Sequence, residues 1–368
     1  MYTLLIIYTI ILSLIMAIFR KKEKNIYLKF MQKRRKISRD LIWVVLFCIP
    51  FIFLFINRSY EVGTDTRSIY YDIYYGGYAV SLWKAPVYEG LFIQYIRVLY
   101  RIVPQFRFFL FVTSLIICVT FIYYFVRQRS SINATITILT FLVWIYAPSL
   151  NIMRQLLAVT ICFWGLLQLE KKNIVLAGSL FAIAMFFHIT SIVMFVYFIP
   201  YFLGEKQKWR KKIPLIFMLS PIAIFLLGEM VVKIPIFSKF YGSIHTFDFA
   251  NVNQKFFLFP LLMMPLVVCF WNQLVKASEY NYIHLCGTIL IFPAVLLSGY
   301  LWYAFRMFYF FVPSGAIVLG QIGRCCKNGI QKFMVNLYIV VCTVLMFYLL
   351  YVYFGTDKIY PFLFNNLK

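Results

Sequence analysis

The stretch EVGTDTRSIYYDIYYGGY, Glu61 to Tyr78, gathers three carboxylates, one arginine and five tyrosines in eighteen residues. Carboxylates accept hydrogen bonds from hydroxyls, and flat aromatic faces suit the apolar face of a sugar ring, so this composition fits carbohydrate. Asp65, Asp72, Arg67 and Tyr71 are its candidate binding residues, with Glu89 shortly after. A second stretch, NIMRQLLAV from Asn151 to Val159, sets Arg154 about one turn into an apolar run, with Gln155 beside it. An ionisable residue there marks function by default, and a guanidinium near a helix start favours an anion. A third, AMFFHITSIVMF from Ala184 to Phe195, carries His188 in the middle of apolar sequence, followed by Thr190 and Ser191. Imidazole has an ordinary pKa near neutrality, which suits a general base if water or substrate reaches it. Each cluster also has a plainer reading. The tyrosines can form an aromatic belt, the arginines can meet lipid phosphates, Thr64 or Asp65 can cap a helix, and His188 can be a hydrogen-bonded packing residue.

The elements that must hold these residues follow from composition. The chain of 368 residues is 63% hydrophobic, 21% aromatic and only 13% charged, which is an integral membrane protein. Apolar runs near bilayer length recur throughout, leaving no room for a soluble domain of ordinary size. We expect an all-α fold of about eleven to thirteen transmembrane or re-entrant helices, in one polytopic domain over residues 1–368, with amphipathic helices on the outer face.

The formal charge of +24 does not point to nucleic acid, because in such a chain the placement of basic residues matters more than their sum. The densest cluster, RKKEKNIYLKFMQKRRKISR from Arg20 to Arg39, separates the first two apolar runs. Placing it in the cytoplasm puts the N-terminus outside, and most later basic loops then fall inside by parity. The first run has no basic residues before it and is expected to remain as a helix. Asn173–Gly204, basic at both ends, must leave the inner face and return, as two short helices or a re-entrant hairpin with His188 near the turn.

The same parity places residues 57–104 outside as an extracytoplasmic loop, with residues 233–255 as a second. In the first, a helix over Thr66–Tyr75 ends at Gly76-Gly77, and Tyr70, Ile73 and Tyr74 share a face that can lie in the interface. A second helix, roughly Glu89–Val103, has an apolar stripe of Phe92, Ile96, Leu99 and Val103, with Arg97 and Arg101 one turn apart. Of the eight cysteines none makes a CxxC or Cys/His spacing, and the three histidines are scattered, so no disulfide framework and no metal site is indicated. There is no GxGxxG or P-loop, and we expect no cofactor.

In order, GTDT at Gly63–Thr66 followed by Tyr70, the helix opening EGLF at Glu89, NIMRQLLAV around Arg154, and EKKN leading to the FFH of His188 resemble the EpsG-type polysaccharide polymerases, a branch of the Wzy-like O-antigen polymerases. The resemblance covers roughly Tyr60 to Tyr201, and later only YAFRMFYFF, Tyr303 to Phe311, where Arg306 opens an outer-face span. Where the family often has Glu-Pro-Gly, this chain reads YEGLF, which weakens the case for Glu89.

The resemblance implies joining of oligosaccharide repeat units carried on undecaprenyl diphosphate at the outer face of a bacterial cytoplasmic membrane, in exopolysaccharide, capsule or O-antigen synthesis. The leaving group is then an anionic diphosphate, to which Arg154 and Arg306 are assigned, with Arg97 or Arg101 as helpers. His188 is the preferred base for the acceptor hydroxyl, with Asp65 or Asp72 in its place as the alternative. Expected partners are the lipid-linked oligosaccharide, membrane lipids and, as candidates, a flippase and a chain-length regulator. Two other classes compete: a transporter or flippase for the same lipid-linked sugars, and a membrane O-acyltransferase acting on sugars. A transporter commonly shows paired interrupted helices in repeated halves, whereas this sequence shows one interruption and no evident repeat.

Overall fold

Apolar chain in lipid must satisfy its backbone internally, and the chain does so with helices. The computed structural model describes residues 1–23, 32–75, 90–232, 247–248, 250, 252–300 and 302–364. Among the described residues six helices are long and apolar enough to span a membrane: Tyr2–Phe19, Asp40–Asn57, Phe106–Arg127, Asn281–Gly299, Ala304–Cys325 and Gly329–Tyr353. A seventh candidate is a pair, Gln254–Cys269 and Trp271–Ala277, bent by 84°. The described residues also include four shorter apolar helices, Ala134–Ser149, Ile174–Met185, Ile189–Leu203 and Ile213–Ala223. The protein is an all-α, multi-pass membrane protein, and no strand occurs among the described residues. Glu89, Gly76-Gly77 and most of the loop 233–255 lie outside the described residues.

By contacts the chain forms two compact units, Met1–Thr160 with Phe186–His188 and Thr343–Lys368, and Ile161–Met185 with Ile189–Cys342. In the first, the Gln32–Asn57 helix packs along Phe106–Arg127. Pro50 sits inside the former and cannot donate to the carbonyl one turn back, so Tyr8 Oη donates to Leu46 O instead at 2.7 Å. At one end of this helix pair Arg129 and the buried Asp40 form a largely buried salt bridge. At the other end lies Arg58, whose residue is fully buried.

The helix expected over Thr66–Tyr75 is present in two pieces, a π-helical Thr66–Tyr71 and an α-helical Asp72–Tyr75. The second amphipathic helix runs Gly90–Ile102 and buries Phe92, Ile93, Ile96 and Leu99. Tyr70 and Tyr74 do not lie in an interface as their spacing suggested. Both are buried, with Tyr70 ringed by Phe92 at 5.9 Å and Phe109 at 6.3 Å, and Tyr74 Oη donating to Val103 O at 2.6 Å. Burial pushes the Tyr74 phenol up to about 12, which keeps it a donor at neutral pH.

In the second unit, Asn281–Leu296 packs along Phe308–Cys325. A buried polar chain crosses these helices. Glu170 Oε1 lies 2.7 Å from His284 Nε2, His284 Nδ1 lies 3.3 Å from Ser314 Oγ, and Ser314 Oγ lies 2.7 Å from Tyr197 Oη. Gly287 leaves room for it, since a Cβ there would sit 2.0 Å from Tyr197 Oη.

Candidate functional site

The GTDT loop is docked onto the head of the Met153–Glu170 helix by side chains and backbone together. Gly63 has φ +89°, and a Cβ on it would stand 2.5 Å from Leu150 O, so only glycine permits this approach. Thr66 Oγ1 lies 2.9 Å from Val62 O and 3.1 Å from Leu150 O. The Asp65 backbone N–H donates to Asn151 Oδ1 at 2.7 Å, and Thr64 Oγ1 donates to the same oxygen at 3.1 Å. Asp65 therefore does not cap the helix that follows, because its side chain makes no capping bond. Its carboxylate is half-exposed, with Thr64 Oγ1 at 3.4 Å.

Arg154 follows Asn151 by about one turn. Its backbone N–H donates to Tyr70 Oη at 3.3 Å, and its guanidinium stands 6.0 Å from the Phe92 ring centroid, at the outer limit of a cation–π contact. The side chain is half-buried. Asp65, Tyr70, Asn151 and Arg154 thus belong to one small construction, built from a loop and a helix start that are far apart in sequence. It offers a cation and a carboxylate backed by buried aromatic rings, a pairing suited to a sugar bearing an anionic group.

Behind this construction lies Arg58. Its Nη1 donates to Leu150 O at 2.6 Å, its Nη2 lies 3.4 Å from Thr66 Oγ1 and 3.6 Å from Met153 Sδ, and its guanidinium sits 4.5 Å from the Phe55 ring centroid. Burial pulls its pKa down to about 10, so it remains cationic at neutral pH. The C-terminal segment closes the same place. Arg58 forms an antiparallel bridge with Phe364, the Ser59 N–H donates to Leu363 O at 2.7 Å, and the Gly63 N–H donates to Lys358 O at 3.3 Å. To present that carbonyl the segment takes left-handed φ values at Gly355, Asp357 and Lys358 of 59°, 60° and 50°.

His188 lies in the same unit, buried, in the non-helical turn between Ile174–Met185 and the 3₁₀-helix Ile189–Tyr197. A 12-residue helix rises only about 18 Å, too little to cross a hydrocarbon core of about 30 Å. Tyr71 is packed among Tyr60, Tyr75 and Phe106 at 5.0, 4.8 and 5.4 Å. Arg67 is exposed and reaches Glu61 only at 4.0 Å, a pair worth little in solvent. Asp72 and Arg101 are exposed and Arg97 half-buried. Arg306 is half-buried in the second unit, in the 3₁₀-turn Trp302–Met307.

Sequence reasoning passed over Arg58 and the C-terminal segment. Arg58 carried one signal, being a cation directly after a span on the side where the basic loops do not gather. The segment carried none, since a bridge between residues 58 and 364 leaves no local periodicity.

A family model described as the EpsG family matches residues 41–364, and no curated protein and no solved structure matches the chain. The chain belongs to the EpsG family, a family of Wzy-like polysaccharide polymerases, which gives it a polymerase-like, glycosyltransferase-like role in polysaccharide biosynthesis at a membrane.

Proposed function

We propose that the protein joins oligosaccharide repeat units carried on undecaprenyl diphosphate, at the outer face of a bacterial cytoplasmic membrane and with its own N-terminus outside. The observation that carries this reading is the docking of the Gly63–Thr66 loop on the head of the Arg154 helix, where Asn151 holds the backbone of the half-exposed Asp65 one turn before the half-buried Arg154.

In the reaction, the bond between the anomeric carbon of the growing chain and its lipid diphosphate breaks. A new glycosidic bond forms to a hydroxyl oxygen of the incoming unit. The electron pair leaves with the diphosphate, where the Arg154 fork stabilises it, and charge stabilisation of this kind is usually the largest catalytic contribution. Asp65 accepts hydrogen bonds from the acceptor sugar and orients it. The acceptor proton passes to His188 as the hydroxyl attacks.

The test is to incubate the purified protein in lipid vesicles with its host's undecaprenyl-diphosphate repeat unit and resolve the products by size. A ladder of multiples with release of undecaprenyl diphosphate supports the reading. Products of unchanged length, from intact substrate and folded protein, overturn it; movement of the unit between leaflets would instead identify a transporter.

A further inference from the structure

We propose that Arg58 is the second cation of the diphosphate site, a positioning residue that sets the charge behind Arg154 and braces the loop bearing Asp65. This rests on the lipid-diphosphate reading above. A guanidinium taken wholly out of water is costly unless a carboxylate or an anion meets it. Arg129, its side chain only 12% exposed, is met by Asp40. Arg58 is met by none among the described residues: its partners are a carbonyl, a hydroxyl, a thioether and an aromatic face, and its Nε has no hydrogen-bond partner.

The position explains what this uncompensated charge can serve. Leu150 O is shared by Arg58 and Thr66, Asn151 holds the Asp65 amide, and Arg154 follows one turn on. Arg58 therefore stands one layer behind the residues that face a ligand, in surroundings too apolar to screen it. Two cations so placed suit a group with more than one negative charge, such as a diphosphate, better than a single carboxylate. Arg58 itself is fully buried and acts through field and geometry, without touching the ligand.

The experiment uses the full chain in lipid nanodiscs, with inorganic pyrophosphate as the probe and the lipid-linked unit for kinetics. Arg58→Gln is expected to weaken pyrophosphate binding at least tenfold and to raise KM more than it lowers kcat, while Arg58→Lys recovers most of the affinity. Because Arg58→Gln can fail to fold, a second pair leaves the arginine in place: Met153→Glu sets a carboxylate against it and should also cost at least tenfold in affinity, whereas Met153→Gln should stay within about threefold. Wild-type affinity in folded Arg58→Gln or in Met153→Glu would overturn the proposal, as would an Arg58→Lys no better than Arg58→Gln. If the wild-type protein binds neither pyrophosphate nor undecaprenyl diphosphate, the lipid-diphosphate reading itself falls. If it binds them and the Arg58 variants bind equally, only the role of Arg58 falls.

Discussion

Two arginines sit at opposite ends of one helix pair. Arg129 closes one end on Asp40, while Arg58 closes the other with no carboxylate against it among the described residues. The span between Asp40 and Asn57 is 18 residues, about 27 Å of helix, so the two ends meet separate environments. A paired charge is self-sufficient and serves as a clasp. An unpaired one, beside a second arginine and a half-exposed carboxylate, has a deficit that a ligand can fill. The Glu170–His284 pair of the second unit belongs with the clasp, because acid and base there answer each other at 2.7 Å.

The comparison can be broken by turning one end into the other. Asp40→Asn takes the carboxylate from the largely buried Arg129 and should cost about 3 kcal/mol of stability, read as a fall in thermal midpoint. Pyrophosphate affinity of the folded fraction should not change; a parallel loss would mean that the two ends are not independent. Gly63→Ala, which drives a Cβ to 2.5 Å from Leu150 O at a positive φ, should cost about 1–3 kcal/mol at the loop and reduce polymer yield with the helix pair intact. Intact yield would show that the loop need not dock closely. Asn151→Ala removes the acceptor of the Asp65 amide and should cost about 1–2 kcal/mol of stability, seen as a lower thermal midpoint together with a lower kcat. The smallest effect is expected of Arg67→Ala. Its exposed pair with Glu61 contributes less than about 1 kcal/mol, and polymer yield should hold within about twofold. A large loss there would return Arg67 to the binding site.

Much of the scaffold was legible because membrane helices announce themselves by length and hydropathy. The stripe Phe92, Ile96, Leu99 gave the second amphipathic helix, and Arg154 stood out as a charge in an apolar run. The tyrosine cluster was read less well. Amphipathic spacing put Tyr70 and Tyr74 together correctly, but it cannot tell an interface from a protein core, and Phe92, Phe106 and Phe109 cover them. Asp65 looked like a cap because its position beside a helix start allows one. Asn151, from a segment distant in sequence, takes the amide instead. The contacts that make the site, Arg58 to Leu150 and Ser59 to Leu363, join residues far apart in the chain and leave no trace in any window of sequence.

The most direct test of the account is Arg154→Lys, which keeps the charge and loses the planar fork. Polymer length and released undecaprenyl diphosphate would be measured for this variant and the wild-type protein at equal membrane abundance. We expect one lipid diphosphate released per linkage in the wild type and a fall in both quantities of about 100-fold in the variant, the size of effect seen when one stabilising donor is lost. Normal polymer and normal release from Arg154→Lys would remove Arg154 from the site and contradict the account.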